Sequence, residues 1–176
     1  MLILYVMVFF IACSDEFNTF EPIEYNGKFP DESAKNIELV FSDSGRLNFI
    51  ISAPLMNKYE EDDPYMDFPE GVHITSFDES GNIQSSLRAD YAISIDNTEY
   101  MEARHNVVIK DLQKKETIET EKIIWDKRNK RIYSDVEVRQ IKADGTINIG
   151  DGFEADERFS KYAIRNPRGE VLASDI

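Results

Sequence analysis

The sequence has very few of the residues on which disulfide-stabilised and zinc-dependent domains rely. It contains one cysteine, Cys13, among 176 residues, so no disulfide can form within the chain. The two histidines, His73 and His105, fall on different predicted strands and lack the spacing of zinc ligands. We therefore expect no metal site and no cofactor, and a hydrophobic core has to stabilise the fold.

Basic residues are also scarce. The chain has 20 Lys and Arg against 34 Asp and Glu, which gives a formal net charge of −14. Nucleic-acid binding needs a basic surface, and so does electrostatic attachment to anionic lipids, so both are excluded as main functions. An apolar content of 41% with 11 Phe and 8 Tyr nevertheless predicts a folded domain rather than a disordered acidic chain.

Only one long apolar run is present, at residues 1–12. It is too short to span a bilayer, which takes about 20 residues. Its length and composition fit the apolar core of a signal peptide, although no Lys or Arg precedes it. We therefore predict that residues 1–12 are a signal peptide.

The end of this run is similar to a bacterial lipobox, in which apolar residues and a small residue precede a cysteine. Here Phe10, Ile11 and Ala12 precede Cys13, and acidic residues follow at once. We predict cleavage before Cys13, lipidation of Cys13, and a polar tether over residues 13–36. A short transmembrane anchor and a buried strand with a free cysteine remain as alternatives. Two or more acyl chains on Cys13 would give stable anchoring.

The rest of the chain alternates apolar and charged residues with the period of two that is typical of half-buried strands. Four such strands form a central run, at residues 101–110, 117–126, 131–139 and 146–150. Further strands are predicted at residues 37–41, 46–54, 72–77, 83–90 and 161–165, and residues 91–95 are either another strand or the segment that crosses to the central run. Pro54 is expected to end the second strand, and residues 56–69 read as irregular. No segment has a convincing helical face, so the prediction is an all-β antiparallel fold.

An ordered series of short motifs resembles the LptC family, the membrane-anchored periplasmic component of the lipopolysaccharide export machine. The series covers about residues 31–170 and comprises Asp43-Ser44-Gly45-Arg46-Leu47, Ala53-Pro54-Leu55-Met56, Phe68-Pro69-Glu70-Gly71, Ala89-Asp90-Tyr91-Ala92, Asn106-Val107-Val108, Thr120 before Trp125-Asp126, Ile132-Tyr133-Ser134-Asp135 and Gly150-Asp151-Gly152-Phe153. The resemblance implies an open, twisted β-jelly roll over residues 37–170, with two facing sheets that form a groove. Many members have an N-terminal transmembrane helix, and a lipidated Cys13 would replace it here.

The family function implied by this resemblance is the shielding of lipopolysaccharide acyl chains from water. Inward side chains recur every second residue, so one face of each sheet could line an apolar interior. By alternation, the residues predicted to face the interior and bind lipopolysaccharide are Leu47, Phe49, Ile51, Ile74, Leu87, Met101, Val107, Ile109, Ile118, Ile132, Val136, Val138, Ile147, Ile149 and Phe153. An ordinary sandwich core would need the same kind of residues, so that alternative stays open.

The resemblance also implies partners and a location. Unpaired edge strands can add a strand from another chain, and in this family one end meets the ABC transporter and the other an LptA-like bridge protein. We predict Ile37–Phe41 as the upstream edge, and a downstream edge near Gly150, Gly152, Phe153 and Ile164. Gly150 and Gly152 are equally well explained by a bulge or a close backbone approach. The expected location is the periplasmic face of the inner membrane.

Functions of two other classes are compatible with parts of the sequence. The many carboxylates could supply an acid/base pair for glycoside hydrolysis, but they lie in turns and at alternating outer positions, so we expect no enzyme. A surface-exposed lipoprotein that acts as a scaffold or glycan-binding module is the main alternative. Trp125 is the only tryptophan, whereas a glycan platform would be expected to show several exposed aromatic residues.

Overall fold

The computed structural model describes residues 28–60, 62–157, 159 and 161–172. The predicted signal peptide, Cys13 and the tether up to residue 27 lie outside these described residues. The described chain forms fourteen β-strands and one short 3₁₀ helix, with the strands in a single antiparallel network. The predicted all-β jelly-roll class is thereby confirmed.

The strands vary from short edge segments to long strands that serve more than one layer. In chain order they are β1 Glu32–Asp43, β2 Arg46–Tyr59, β3 Tyr65–Phe68, β4 Val72–Phe77, β5 Ile83–Ala89, β6 Tyr91–Ile95, β7 Tyr100–Asp111, β8 Glu116–Asp126, β9 Arg131–Ser134, β10 Val138–Ile141, β11 Thr146–Gly150, β12 Gly152–Asp156, β13 Tyr162–Arg165 and β14 Arg168–Leu172. The 3₁₀ helix, Asp96–Thr98, connects β6 to β7.

Several strand boundaries differ from the sequence prediction. β1 begins at Glu32, within the predicted tether, and β2 continues through Pro54 to Tyr59. The predicted strand at residues 131–139 is divided into β9 and β10, and β3 and β14 were not predicted at all. Short strands such as these depend on a neighbour that supplies hydrogen bonds, and a local pattern does not contain that information.

The strand network folds into two facing sheets because three long strands contribute to both. Sheet 1 consists of β3, β6, β9, β12 and β13 with the Asn57–Tyr59, Tyr100–Arg104 and Lys122–Asp126 parts of β2, β7 and β8. Sheet 2 consists of β4, β5, β10, β11 and β14 with the other parts of the same strands. β1 pairs with β2 along its whole length and is an edge strand of both sheets.

Local backbone features mark the points where the long strands pass between sheets. In β7, His105 and Asn106 have φ of 62° and 49° and stand opposite the single residue Glu121 of β8. Two residues against one is a β-bulge, which bends a strand. In β2 the corresponding bend contains Pro54, which has no N–H to donate, and the facing Asn36 of β1 has a φ of 52°.

A buried carboxylate organises the turn between β8 and β9. Asp126 is 1% exposed, and it accepts hydrogen bonds from Asn129 Nδ2 at 2.8 Å, Asn129 N at 3.0 Å and Arg131 Nε at 3.4 Å. The bonds from Asn129 and then the Arg131 charge stabilise the anion, and they lower its pKa although burial acts in the opposite direction. The fold is thus more favourable with Asp126 ionised.

We expect Asp126→Asn to reduce the free energy of unfolding at neutral pH and to lose that effect in acid. The native pKa lies below the unfolded one, so the stabilisation is fully present above the unfolded value, about 3.9. It is lost as the pH falls through the native pKa. Urea unfolding at several pH values, with Asp62→Asn in an exposed loop as the control, measures this. If the difference in the free energy of unfolding between Asp126→Asn and the parent did not change with pH, the stabilisation would not come from the ionised Asp126 carboxylate.

Candidate functional site: an apolar slot between two sheets

The inner face of sheet 2 is a continuous aliphatic row. The strand register places one inward residue of each strand opposite the next, in the order Leu39, Ile51, Ile74, Leu87, Ile109 and Ile118. The row then becomes polar at Gln140 and Asn148, which are joined by a hydrogen bond of 2.9 Å. One end of this face is therefore apolar and the other is hydrophilic.

The inner face of sheet 1 is built in the same way but is more varied. Its row runs through Met66, Ser94, Met101, Trp125, Ile132, Ala155 and Tyr162. The two inner faces meet across the interior, since Tyr162 Oη of sheet 1 accepts a hydrogen bond from Gln140 Nε2 of sheet 2 at 3.3 Å. The facing rows therefore enclose a slot with an apolar middle and a polar end.

An apolar cavity lies in the middle of this slot. It measures ≈ 50 Å³ within a recess of ≈ 560 Å³ of empty space that includes its opening to solvent. Both sheets contribute to its lining, which consists of Phe49, Ile74, Ser76, Ser85, Leu87, Met101, Ala103, Ile123, Trp125, Ile132, Glu157 and Phe159. The two inner faces are thus in contact around a narrow space rather than separated by a wide groove.

An aromatic pair crosses the slot at this cavity. The ring of Phe49 in sheet 2 meets the edge of the Trp125 ring in sheet 1, with centroids 4.9 Å apart and an interplanar angle of 82°. Phe41 of the edge strand β1 stacks on Phe49 at 4.5 Å. Trp125 Nε1 donates to Glu157 Oε1 at 2.9 Å, so its one polar atom is satisfied.

The polar side chains that line the cavity form hydrogen bonds with other lining residues. The hydroxyls of Ser76 and Ser85 are 2.6 Å apart and buried, and the Glu157 carboxylate holds Trp125. No lining residue is a histidine, cysteine or lysine. An apolar surface of this kind offers shelter to hydrocarbon and places no acid/base pair beside it.

A half-buried lysine lies one position beyond the tryptophan on the same face. Lys127 Nζ donates to Ser94 Oγ at 3.1 Å and lies 5.5 Å from the centroid of the Trp125 ring. Burial lowers the pKa of the Lys127 amine, and the charges of Asp96 and Glu99 act against that shift. This end of the slot is therefore polar as well, so the apolar lining has a defined length.

The predicted interior residues fall into three groups. Phe49, Ile74, Leu87, Met101 and Ile132 line the cavity. Ile51, Val107, Ile109, Ile118, Val138 and Phe153 are buried in the surrounding hydrophobic core. Ile147 is buried outside that cluster, and Leu47, Val136 and Ile149 are half-buried. Contact with lipid thus remains a prediction, with the first group best placed for it.

The orientation predicted for Ile147 and Ile149 needs correction. Gln140 pairs with Asn148, and Val138 pairs with Gly150, so Asn148 and Gly150 share the inner face with Ile118 and Thr120. Ile147 and Ile149 therefore lie on the outer face of sheet 2. Alternation in a single strand gives two possible phases, and here the apolar residues occupy the outer one.

Four apolar cavity residues are not among those that alternation predicts to face the interior: Ala103, Ile123, Trp125 and Phe159. In β8 the inward positions change from Ile118 and Thr120 before the bend to Ile123 and Trp125 after it. A strict period of two over the whole strand cannot follow this change of phase. The signal that could have located it is the charged pair Glu121-Lys122, which interrupts the apolar alternation.

The residues predicted for the partner edge lie partly on an edge strand and partly on the strands next to it. Within the described part of the chain, β13 and β14 each pair on one side only and are the edge strands of sheets 1 and 2. Ile164 lies on β13, whereas Gly150, Gly152 and Phe153 lie one strand further in. At the opposite end, Ile37–Phe41 belongs to the edge strand β1. The role of these edges in partner binding stays a prediction.

The described residues add two further observations. No helix among them is long and apolar enough to cross a membrane. Residues 28–60, 62–157, 159 and 161–172 also contain no group of three or more His, Cys, Asp or Glu side chains that could hold a metal ion. The predicted lipid attachment at Cys13 lies outside this part of the chain.

Comparison with known proteins gives one family. The family described as "Lipopolysaccharide-assembly, LptC-related" matches residues 1–164. None of the curated proteins matches the chain. The family match extends over the edge strand β1, the slot and the predicted downstream edge, and it confirms the resemblance found in the sequence. The chain belongs to the LptC family, which assigns it a role in lipopolysaccharide transport at the periplasmic side of the inner membrane.

Proposed function

We propose that this protein accepts lipopolysaccharide from an ABC transporter and passes it to an LptA-like periplasmic bridge protein. The observation that carries the proposal is the apolar cavity between the sheets, with Phe49 and Trp125 in contact across it. Removing one CH₂ group from water is worth about 0.8 kcal/mol, so sheltering even part of several acyl chains is strongly favourable.

The cavity has to widen for an acyl chain to enter. Its ≈ 50 Å³ is well below the ~150 Å³ of an apolar cavity that holds one benzene molecule. The contact between Phe49 and Trp125 joins the two sheets across this space, and ring pairs of this type contribute about 0.5–1.5 kcal/mol. Separating one such pair is a small cost beside the burial of a chain, so we propose that lipid entry moves these rings apart.

The two ends of the roll support transfer between partners. β1 has a free side along its length, and β13 and β14 end the two sheets on the other side, within the described residues. We assign the transporter to the β1 end and the bridge protein to the β13 and β14 end, each by addition of a strand. Ile164 on β13 would lie at such a junction.

The anchor and the energy source complete the proposal. A lipidated Cys13 would hold the domain at the inner membrane through a tether, which is shortened by the start of β1 at Glu32. ATP hydrolysis in the transporter would drive the lipid through, so no reaction is assigned to this chain. The predicted domain limits, with a signal peptide over residues 1–12 and a jelly roll that ends near residue 170, belong to the same proposal.

Photocrosslinking in cells tests this function at neighbouring positions with opposite orientations. A photoreactive phenylalanine analogue at Phe49 faces the cavity, and the same analogue at Ile50 faces outward from the same strand. Ile74 and Thr75 form a second pair of this kind on β4. We expect an adduct of lipopolysaccharide size at Phe49 and Ile74 that depends on ATP, and little at Ile50 and Thr75.

The paired design also shows what would refute the proposal. Equal adducts at inner and outer positions would indicate general contact with membrane lipid rather than a slot. If folded and membrane-attached protein gave no adduct at either inner position, the interior would be an ordinary closed core. The matched outer variants verify expression and folding without altering the cavity.

A further inference from the structure

The outer face of sheet 1 is unusually rich in tyrosine. Five of the six described tyrosines lie on it, and only Tyr162 faces the interior. The register places them on adjacent strands, with Tyr59 beside Tyr65, Ile95 beside Tyr100, and Ile124 beside Tyr133. Tyr59 is buried. We call the surface formed by the other four tyrosines and three isoleucines the tyrosine face, which consists of Tyr65, Tyr91, Tyr100, Tyr133, Ile93, Ile95 and Ile124.

The outer face of sheet 2 provides an internal comparison. Its corresponding row is aliphatic at both ends and polar in the middle, and it contains no aromatic residue: Val40, Ile50, Thr75, Ser86, Lys110, Thr117, Ile141 and Ile147. Apolar residues thus occur on both outer faces, but this row has no tyrosine. The tyrosines of sheet 1 are therefore not a general property of the surface of this protein.

A recess of ≈ 310 Å³ lies within the tyrosine face. Its lining includes three aliphatic side chains, Ile93, Ile95 and Ile124, and two aromatic ones, Tyr100 and Tyr133. Tyr100 is 39% exposed. The volume is within the range of small-ligand sites, about 300–1,000 Å³, in which a few polar groups orient an otherwise apolar contact.

The charged groups of the recess form a pair. Arg104 Nε donates to Glu102 Oε1 at 2.6 Å, and this bond raises the pKa of Arg104, which keeps it charged. Burial raises the pKa of the Tyr91 phenol, so that hydroxyl stays protonated and can donate. Because the charges of Glu102 and Arg104 are paired and the chain has a net charge of −14, the recess does not attract phosphate groups. It nevertheless offers hydrogen-bond donors and acceptors to a neutral polar ligand.

A saccharide matches this combination of surfaces. Sugar rings have C–H faces that pack on aromatic or aliphatic side chains, and hydroxyl edges that need both donors and acceptors. The recess supplies the first through Tyr100, Tyr133 and the isoleucines and the second through Glu102 and Arg104. Every ring on the face also carries a hydroxyl group, whereas a purely hydrophobic partner would favour phenylalanine or leucine.

The recess and the apolar slot lie on opposite sides of the same strands. Tyr100 alternates with Met101 on β7, and Ile124 alternates with Trp125 on β8. Thr98 of the connection between β6 and β7 also lines the recess, three residues before the cavity residue Met101. One lipid molecule with its chains in the slot could therefore place its sugars on the recess.

We propose that the tyrosine face binds the saccharide part of lipopolysaccharide. This proposal rests on the proposed transport function, because that function brings lipopolysaccharide to the protein. The surface chemistry alone would also accept a free glycan, so the experiment has to separate lipid-linked from free saccharide.

The test compares two ligands and two sites in the full chain, purified in detergent. Core oligosaccharide released by mild acid from the lipopolysaccharide of the source bacterium is measured by saturation-transfer NMR, which detects millimolar binding. We expect binding by the parent protein, with saturation of sugar protons at least ten-fold weaker in the Tyr100→Ala/Tyr133→Ala variant. Phe49→Ala and Thr75→Ala should leave it unchanged. Tyr100→Phe/Tyr133→Phe keeps the rings but removes the hydroxyl groups, so it should restore the binding only in part.

Intact lipopolysaccharide distinguishes the two proposals. We expect its affinity to fall in both the tyrosine variant and Phe49→Ala. If oligosaccharide does not bind the parent, or binds the tyrosine variant equally, the saccharide proposal is overturned, including the case in which this face contacts a protein. If oligosaccharide binds at the tyrosines while the Phe49 crosslink fails, the face is a glycan site and the transport proposal fails alone. Thermal unfolding of each variant confirms that it is folded.

Discussion

Phe153→Ala is expected to lower the free energy of unfolding by about 3–5 kcal/mol, the usual range for a buried aromatic residue. The Phe153 side chain is 0% exposed and packs against Phe159 and Tyr162, with ring centroids 6.1 Å and 5.7 Å away. Its removal leaves a cavity between β12 and the downstream end of the slot, and the surrounding strands cannot close it without breaking their ladders.

Phe41→Ala is the matched control for this prediction. Phe41 is 39% exposed and makes one described ring contact, the stack on Phe49. Phe41→Ala should lower the free energy of unfolding by about 1 kcal/mol, because little of the Phe41 side chain is withdrawn from water. Urea unfolding followed by the fluorescence of Trp125, the only tryptophan, measures both variants. A loss for Phe153→Ala no larger than that for Phe41→Ala would show that the downstream core is loosely packed.

Gly150→Ala is expected to lower the free energy of unfolding by about 1–3 kcal/mol, a loss second only to that of Phe153→Ala. A Cβ at this position would overlap the Ile164 side chain and lie 2.6 Å from the Arg165 carbonyl oxygen. The carbonyl belongs to the backbone of β13, which accepts a hydrogen bond from Asp151 N at 3.0 Å. Relief would require the edge strand to move, and the lower entropy of the unfolded alanine chain offsets only about 0.4–1 kcal/mol.

Gly152→Ala tests whether backbone contact is the cause. The atoms near a Cβ at Gly152 belong to the Arg165 guanidinium, 2.5–2.8 Å away. That group can swing aside and lose its 2.6 Å bond to the Ser134 carbonyl, a change of about 1 kcal/mol. We therefore expect Gly152→Ala to be the milder variant by thermal unfolding. The reverse order would mean that β13 adjusts more easily than the Arg165 side chain.

These glycines show how far a sequence motif can be interpreted. The pair Gly150 and Gly152 predicted either a bulge or a close approach. Neither residue has a positive φ, and a methyl group on either Cα would overlap atoms of the neighbouring strand β13, so the close approach is the reason for glycine. The motif identified the position of the glycines. The choice between a bulge and a close approach depended on β13, whose residues lie outside the motif.

The sequence by itself determined the class of the fold and the family. Alternation with a period of two is a local property of the backbone, because successive side chains point to opposite faces, and it located most strands. Turn chemistry is local too. The loop at residues 78–82, between β4 and β5, is closed by the Asp78 carboxylate, which accepts hydrogen bonds from Ser80 N and Asn82 N at 2.9 Å. The LptC family, which the series of motifs resembles, is confirmed by a family match over residues 1–164.

Only the tertiary structure decided which residues form the slot. The bends at Pro54 and at His105-Asn106 redirect long strands from one sheet to the other, and the inward phase of β8 changes beside the second bend. Trp125 therefore lines the cavity, while Ile147 and Ile149 face outward. The distance between the facing sheets, and hence the narrowness of the cavity, results from side chains that meet across the interior. Such contacts join residues distant in the chain, and no local periodicity encodes them.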